Sequence, residues 1–438
     1  MARDLSFLIP EILLSLAVVA MLIAEMARLA RLALWIGLIG LTAATLATLP
    51  LLATDTIVFG GTYRIDLLNG WAKLILLPGT ALSLLLARAE IAGKEREGSV
   101  YSLLCLVTLG ALMLAGAGDM MMLVLGVVLT GLGSFALVAY PRDDAATEAG
   151  MKYLVFGGAG STLFADLGAL DGKPLIAIAG LVAVIVGLGY KASLVPFHFW
   201  APDAYDGAPV SVAAYLSVIT KTAAIFAFAQ VLRDLPTGSG WPLVIALISA
   251  ATMTYGYLAA VVQTNLVRLI AYSSVAQSGY FLMGIVALGV SPLAVPGVII
   301  MAAAYVAMNL GAFAIVLVAG RHLDDIRSFG RTHPIAGVAM VVFLLSLTGI
   351  PPLFGFVGKV YLFGAAIEAG YLWLAIIGIL NSVLALGVYL RIVVPMYQAA
   401  PEDVAGFRNS PHPALIAVIG VTSVVTLGMG LLAGLFPG

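Results

Sequence analysis

Charged residues and cysteine are both scarce in this chain of 438 residues. Charged side chains make up 10% of the sequence and apolar ones 62%, whereas an average soluble domain has about 25% and about 45–50%. A soluble protein of this length needs far more charge to cover its surface. The composition therefore excludes a water-soluble protein, and it predicts a single integral membrane domain over residues 1–438 that leaves no room for a second, soluble domain.

Metal and redox sites have little from which to be built. The chain holds one cysteine, Cys105, and four scattered histidines, which excludes an internal disulfide and gives no zinc, haem or iron–sulfur spacing. No phosphate-binding glycine motif follows a predicted strand. The net charge of −1, with basic residues placed singly, gives no sign of nucleic-acid binding. We expect no cofactor or metal in this chain, so any redox group belongs to partner subunits.

Apolar runs long enough to cross a bilayer are abundant. Because lipid offers the backbone no hydrogen-bond partners, each such run of about 20 residues is expected to be a helix. The sequence therefore predicts an all-α polytopic membrane protein with about 14 transmembrane helices. The predicted spans are 7–26, 33–53, 67–88, 99–117, 119–140, 150–170, 174–200, 209–232, 241–263, 266–289, 294–319, 335–366, 371–397 and 412–436.

The distribution of Lys and Arg predicts how these spans are oriented. With the N-terminus outside, 13 basic residues fall on the inner side and 4 on the outer side, the asymmetry that inner loops show. We therefore expect both termini on the outer side of the membrane. The remaining four of the 21 basic residues lie within predicted spans: Lys73, Lys191, Lys221 and Lys359.

These four lysines are the first candidate functional residues, since a lysine at the bilayer centre costs about 2.5–3.5 kcal/mol. Lys73 lies near the start of its span, where we expect it to extend to the interface, and we expect the same of Glu11 in the first span. Lys191, Lys221 and Lys359 lie deeper. A desolvated amine exchanges its proton readily, so these three are predicted to form a proton path. The alternative is that each only binds carbonyls of a broken helix.

The seventh and twelfth spans contain helix-breaking sequence beside a lysine. The seventh reads GLGYKASLVP, with the break assigned to Gly189 and Pro196, and the twelfth reads LTGIPPLFGFVGK, with the break at Pro351 and Pro352. Such breaks free carbonyls that face polar cavities. The two spans are five apart and run in opposite directions, which predicts two inverted five-helix repeats, spans 4–8 and 9–13. The predicted segments are 1–98, 99–235, 236–400 and 401–438.

Several long motifs resemble one known family. KASLVPFHFWAPDAYDGAPVSVAAYLSVITK resembles the core of the antiporter-like membrane subunits of respiratory complex I, and QTNLVRLIAYSSVAQSGY with FLLSLTGIPPLFGFVGKVYLF resembles the second repeat of these subunits. LIPEILL and LDDIRSFGRTHP favour the subunit N branch of the family. The resemblance covers essentially the whole chain.

The resemblance implies a membrane-arm subunit of a proton-pumping NADH:quinone oxidoreductase in the bacterial inner membrane, packed among homologous antiporter-like subunits. NADH, FMN, iron–sulfur clusters and quinone are then expected in partner subunits, and this chain performs no redox chemistry itself. The family's proton-transfer lysines match Lys191, Lys221 and Lys359. Two alternatives stay open: a subunit of a related ion-coupled complex (Na⁺/H⁺ antiporter, membrane-bound hydrogenase or bicarbonate uptake), or a proton-inert spacer of the membrane arm.

Two positions depart from the family pattern. Thr130 stands where span five has a glutamate that pairs with the span-seven lysine, and Gln277 stands where subunit N usually has a histidine. Neither side chain can take up a proton at physiological pH, which motivates the spacer alternative. Asp166 is the nearest intramembrane acid in sequence, and we do not expect it to substitute. His198, in PFHFW, is a candidate relay residue, against the alternative of a histidine that caps or packs at the interface.

Overall fold

The fold is almost entirely helical. The computed structural model describes residues 2–162, 174–235, 240–399 and 412–433. Within these ranges, eleven helices are long and apolar enough to cross a membrane. Each predicted span coincides there with one helix or with consecutive helices, so the predicted fold class of an all-α polytopic membrane protein is confirmed.

The chain divides into two compact units, of which the first is Met1–Pro236. Asp66 and Asp119 begin two of its helices, because each carboxylate accepts a hydrogen bond from a backbone N–H three residues later. The described elements are α1 (Ala2–Ser6), α2 (Ile9–Met26), α3 (Ala30–Thr48), β1 (Thr56–Val58), β2 (Tyr63–Ile65), α4 (Leu67–Ile91), α5 (Glu97–Ala115), α6 (Met120–Val138), α7 (Asp144–Thr162), α8 (Pro174–Lys191), α9 (Trp200–Gly207), α10 (Val210–Tyr215) and α11 (Lys221–Leu232).

A short hairpin lies between α3 and α4. Strands β1 and β2 pair antiparallel, with Val58 opposite Tyr63. A backbone hydrogen bond of 2.9 Å from Arg64 N to Gly116 O ties the hairpin to the end of α5. This hairpin was not predicted, although the β-branched residues around a Gly-Gly pair in TIVFGGTYRI are a signal for one.

The second unit is Thr237–Gly438. Helices α13 and α14 are almost wholly buried within it, whereas α18 and α19 expose apolar side chains such as Val383 and Val424, as helices that face lipid do. The described elements are α12 (Trp241–Val261), α13 (Leu266–Val286), α14 (Ala294–Ala319), α15 (Phe329–Thr332), α16 (Pro334–Thr348), α17 (Phe354–Glu368), α18 (Leu372–Tyr397) and α19 (Pro413–Ala433).

The seventh predicted span is broken, but one residue assigned to the break is not part of it. Helix α8 ends at Lys191 and α9 begins at Trp200, with Pro196 in the gap. Gly189 is a helical residue of α8, so its assignment to the break is wrong. A β-carbon at Gly189 would come within 3.0 Å of the Phe197 ring. This glycine therefore lets the segment after the break pack closely against α8.

The twelfth predicted span is broken between α16 and α17. Helix α16 ends at Thr348 and α17 begins at Phe354, with Pro351 and Pro352 in the gap. Gly349 caps α16 with a φ of 91°, in the left-handed region that glycine adopts without steric cost. Gly349 N donates to the carbonyl oxygens of Leu345 and Ser346, so the carbonyls of Leu347 and Thr348 are the ones in the last turn of α16 that the break leaves to other partners.

Candidate functional site

Lys191, the last residue of α8, is buried. Its ammonium donates a hydrogen bond of 3.0 Å to the phenol oxygen of Tyr153 in α7 and lies 5.2 Å from the centroid of that ring. Helix α6 faces the same ammonium, since a β-carbon on Gly131 would lie 3.4 Å from Lys191 Nζ. The C-terminal end of α8 also favours a cation, because the aligned peptide dipoles of a helix give this end a partial negative charge.

An aromatic cluster holds Tyr153 in place. The Tyr190 hydroxyl donates to the backbone oxygen of Tyr153 at 2.5 Å, and Trp200 Nε1 donates to the backbone oxygen of Tyr190 at 2.8 Å. The Trp200 ring meets the Tyr153 ring edge-on, with centroids 4.8 Å apart. Residues on both sides of the break thus fix the partner of the lysine.

Thr130 is next to the point where α6 faces Lys191. Its hydroxyl donates to the backbone oxygens of Gly126 at 2.8 Å and Val127 at 3.0 Å, so it satisfies its own helix and supplies no charge to the lysine. Asp166 lies outside the described residues. Within the part of the chain that the structure describes, the polar partner of the Lys191 ammonium is the phenol of Tyr153.

Lys221 is fully buried at the start of α11. A π turn, Leu216–Thr220, immediately precedes it, and such turns are frequent at functional sites. His198 is buried in the gap between α8 and α9. The broken seventh span and the π turn of the eighth span therefore each accompany a buried titratable side chain of the first unit.

Lys359 is buried in α17, where it reaches back to the end of α16. Its Nζ donates to the backbone oxygen of Thr348 at 2.9 Å and to Ser382 Oγ at 3.1 Å. The ammonium also lies 3.9 Å from the centroid of the Tyr280 ring, a distance at which a cation is attracted to the ring face. Lys359 thus binds a carbonyl group that the helix break frees.

Gly349 and Gln277 complete the surroundings of this break. A β-carbon on Gly349 would lie 2.7 Å from Lys359 Cδ, so the glycine leaves room for the lysine stem. Gln277 Nε2 donates to the backbone oxygen of Leu347 at 2.9 Å and to the Tyr257 hydroxyl at 3.0 Å. Gln277 and Lys359 therefore bind successive carbonyls at the end of α16.

Comparisons with known proteins agree with this architecture. The family described as NADH:quinone oxidoreductase/Mrp antiporter, TM, matches residues 117–385. The chain is 38% identical over 406 residues to NADH-quinone oxidoreductase subunit N of Rhodospirillum rubrum, covering 85% of this chain and 82% of that one. It is 37% identical over 402 residues to subunit N 1 of Streptomyces griseus, covering 87% and 85%.

The chain belongs to the subunit N family of NADH-quinone oxidoreductase.

Solved structures support the same assignment. A chain of respiratory complex I from Thermus thermophilus with bound aureothin matches the subunit N fold seen here with a TM-score of 0.86 and 28% identity, covering 98% of each chain. Chains of the Mrp complex from Dietzia and of an archaeal membrane-bound sulfane sulfur reductase also reach 0.86, at 23% and 22% identity, and these share the fold alone. The resemblance stated from the motifs, including its subunit N branch, is confirmed.

Two residues of this subunit N chain do not extend to the membrane interface as expected. Lys73 is 0% exposed and its Nζ lies 2.8 Å from Glu11 Oε1, on a glutamate that is itself 7% exposed. The expectation was wrong because α2 and the hairpin cover this end of α4, and because Glu11 supplies an ion-pair partner. The sequence did carry a signal for this ion pair. A lysine and a glutamate both occur within predicted spans, and such groups usually pair.

Proposed function

We propose that this chain is a membrane-arm subunit of a proton-translocating NADH:quinone oxidoreductase, and that Lys191, Lys221 and Lys359 carry its protons. The relatives named above are NADH-quinone oxidoreductase subunits, which supports the complex. The observation that best supports the proton-carrying role is that two of these buried lysines bind hydroxyl groups, Tyr153 Oη and Ser382 Oγ.

A hydroxyl partner suits a group that changes its protonation state. Hydroxyl oxygens accept a hydrogen bond from an ammonium and can turn to donate one to a neutral amine. Lys359 can therefore lose a proton and still hold Thr348 O with one remaining N–H, while Ser382 reverses its hydrogen bond. Lys191 can do the same with Tyr153. Neither change leaves a buried polar group unsatisfied, which keeps both protonation states accessible.

We place the chain in a bacterial inner membrane, with both termini on the outer side. The excess of basic residues on one set of loops supports this orientation. Its partners are other membrane-arm subunits, including homologous antiporter-like chains, and subunits that carry NADH, FMN, iron–sulfur clusters and quinone. Within the described residues, no group of three or more His, Cys, Asp or Glu could hold a metal ion.

Substitution of the lysines in the assembled complex tests the proposal. In proteoliposomes, Lys221→Met and Lys359→Met are expected to lower the number of protons translocated per NADH oxidised, because methionine retains the length of the stem but binds no proton. Lys152→Met is the matched control, since Lys152 is partly exposed and pairs with Asp203 at 2.8 Å. An unchanged ratio in both Lys221 and Lys359 variants would contradict the proposal.

A proton-inert spacer of the membrane arm is the second candidate. It is favoured by Thr130, whose hydroxyl is bound to its own helix and supplies no charge to Lys191. The related ion-coupled complexes share the fold at 22–23% identity, which supports no activity for this chain. Introducing a carboxylate at position 130 distinguishes the spacer from the proton carrier, as described in the Discussion.

A further inference from the structure

A second set of buried charges lies in the first unit, at the beginning of α4. Lys73 Nζ is 2.8 Å from Glu11 Oε1, and among the ion pairs of the described residues this one has the least exposed side chains. Burying such a pair is costly, and replacing it by apolar residues is often neutral or stabilising for a protein. A need for packing alone therefore does not account for it.

The hairpin holds the pair in place. Tyr63, on β2, donates a hydrogen bond of 2.6 Å to Glu11 Oε1, and its ring centroid is 5.5 Å from Lys73 Nζ. A β-carbon on Gly116 would come within 2.4 Å of the Tyr63 ring, so the end of α5 is shaped to admit that ring. The charges are thus positioned by three separate elements of the unit.

One oxygen of the pair is open to a proton. Glu11 Oε1 accepts from Tyr63 and contacts Lys73, whereas Glu11 Oε2 is buried and has no hydrogen-bond partner among the described residues. An ionised carboxylate normally has each buried oxygen satisfied. A protonated Oε2 would present a neutral carboxylic acid here, so this atom is the place where a proton can be held.

Polar contacts continue from the pair toward the partly exposed end of the unit. Asn69 Nδ2 donates to Tyr63 Oη at 3.3 Å, and the Asn69 backbone N–H donates to Asp66 Oδ1 at 2.8 Å. Asp66 Oδ2 is 2.6 Å from Arg233 Nη2, whose side chain is 28% exposed. A series of polar and charged groups therefore connects the fully buried Lys73 to Arg233.

We propose that Glu11 and Lys73 form a second proton-exchanging site of this subunit, which opens toward Asp66 and Arg233. An N–H bond of the Lys73 ammonium breaks as an O–H bond forms on Glu11 Oε1, 2.8 Å away, which converts two opposite charges into two neutral groups. Rotation of the carboxylic acid then brings the protonated oxygen to the unpartnered position of Oε2. The carboxylic acid then gives its proton to water at the end lined by Asp66. Glu11 returns to the carboxylate, and the neutral Lys73 amine binds the next proton.

The groups that face the pair are compatible with this exchange. Tyr63 faces it from β2, Asp66 lies at the beginning of α4, and Arg233 at the end of α11 neutralises Asp66. Asp66 is thus paired with a guanidinium that does not release its proton. The site rests on the proposed function, since it has a role only in a subunit that translocates protons.

Lys73→Arg separates proton exchange from a purely structural role. Arginine keeps the positive charge and the ion pair but does not lose its proton in proteins. In the assembled complex in proteoliposomes, we expect fewer protons translocated per NADH oxidised, with NADH oxidation in the presence of an uncoupler retained. Lys152→Arg, at a partly exposed ion pair, is the matched control and should leave the ratio at the wild-type value.

The double variant Glu11→Gln with Lys73→Met gives an independent test, because it removes both charges and leaves neither unpaired. We expect it to assemble and to show the same loss of translocated protons as Lys73→Arg. A wild-type ratio in either variant, or failure of both to assemble, would overturn the site and make the pair structural. If Lys221→Met still lowers the ratio in that case, the proposed function stands; if it does not, the proposed function fails separately.

Discussion

The two broken helices hold their lysines in different ways. In the first unit, Lys191 is itself the last residue before the gap and donates to Tyr153. In the second unit, Lys359 follows the gap and reaches back to the oxygen of Thr348, the last residue before it. Both lysines are therefore placed at the C-terminal end of the first half-helix, the end at which the helix dipole favours a cation. The two lysines thus serve the same end of a half-helix, although one precedes the gap in the sequence and the other follows it.

The partners of the two ammonium groups differ in number. Lys359 binds a carbonyl and the hydroxyl of Ser382, and it lies close over the Tyr280 ring. Lys191 binds the hydroxyl of Tyr153, whose ring is farther from the ammonium. We infer that the second unit holds its lysine more firmly than the first unit does.

The largest effect is expected from removing the lysines themselves. Lys359→Met removes the donor to the buried Thr348 O, at about 1–3 kcal/mol for an unsatisfied group, and removes one of the two partners of Ser382 Oγ, which keeps the Tyr280 hydroxyl. Lys191→Met leaves one such group, on Tyr153. In proteoliposomes we expect both variants to translocate fewer protons per NADH oxidised. For Lys359→Met we expect the rate of coupled pumping to fall about tenfold. A larger loss in Lys191→Met would reverse the comparison.

The next largest effect is expected from substituting the two glycines near the breaks. Gly349→Ala places a β-carbon at a φ of 91° and 2.7 Å from Lys359 Cδ, so it costs about 1–2 kcal/mol in backbone strain alone and displaces the lysine. Gly189→Ala meets only the Phe197 ring at 3.0 Å, within a helix. We expect a lower thermal denaturation temperature of the solubilised complex and weaker pumping for Gly349→Ala. Gly189→Ala serves as its matched control. Equal effects of the two substitutions on stability and pumping would contradict the different roles inferred for the two glycines.

A smaller effect is expected from removing the hydroxyl partners. Tyr153→Phe removes the phenol that binds Lys191, whereas Ser382→Ala leaves Lys359 its bond to Thr348 O. Hydrogen bonds to charged groups contribute about 1.5–3 kcal/mol, so Tyr153→Phe should lower pumping more than Ser382→Ala. The two variants are compared by initial rates of proton translocation at matched NADH oxidation. The same rate in both would show that the hydroxyls do not set the difference.

The smallest effect is expected from supplying the missing carboxylate. Thr130→Glu places an acid beside Gly131, which faces Lys191. Because Tyr153 already binds this lysine in a reversible way, we expect the number of protons per NADH to stay unchanged, with Thr130→Gln as the uncharged control. A gain in that number for Thr130→Glu alone would favour the spacer function for the native chain.

The spans were predictable because lipid forces every long apolar run into a helix, so composition and length decide the outcome. The lysines within the spans were predictable as candidate functional residues because a charge inside an apolar run is costly. The partners were not, because they come from distant parts of the chain. Glu11 and Lys73 lie on α2 and α4, and only the packing of these helices with the hairpin shows that the two charges meet.

Glycine shows the limit of local patterns most clearly. Gly189 and Gly349 stand beside similar breaks, and the sequence gives no means of telling that the first packs against Phe197 while the second turns the backbone. Thr130 could be aligned with the missing glutamate from its motif, but its hydrogen bonds to its own helix require coordinates. The π turn before Lys221 is likewise invisible in an unbroken apolar run.

That π turn has a geometric consequence for the eighth span. A π turn closes its hydrogen bonds from residue i to i+5, so Leu216–Thr220 takes up one residue more than an α turn would. The Lys221 side chain therefore keeps the azimuth that it would have after an unbroken α-helix one residue shorter. If the same residues wound as a regular α-helix, the ammonium would point about 100° away from its present direction, since an α-helix has 3.6 residues per turn.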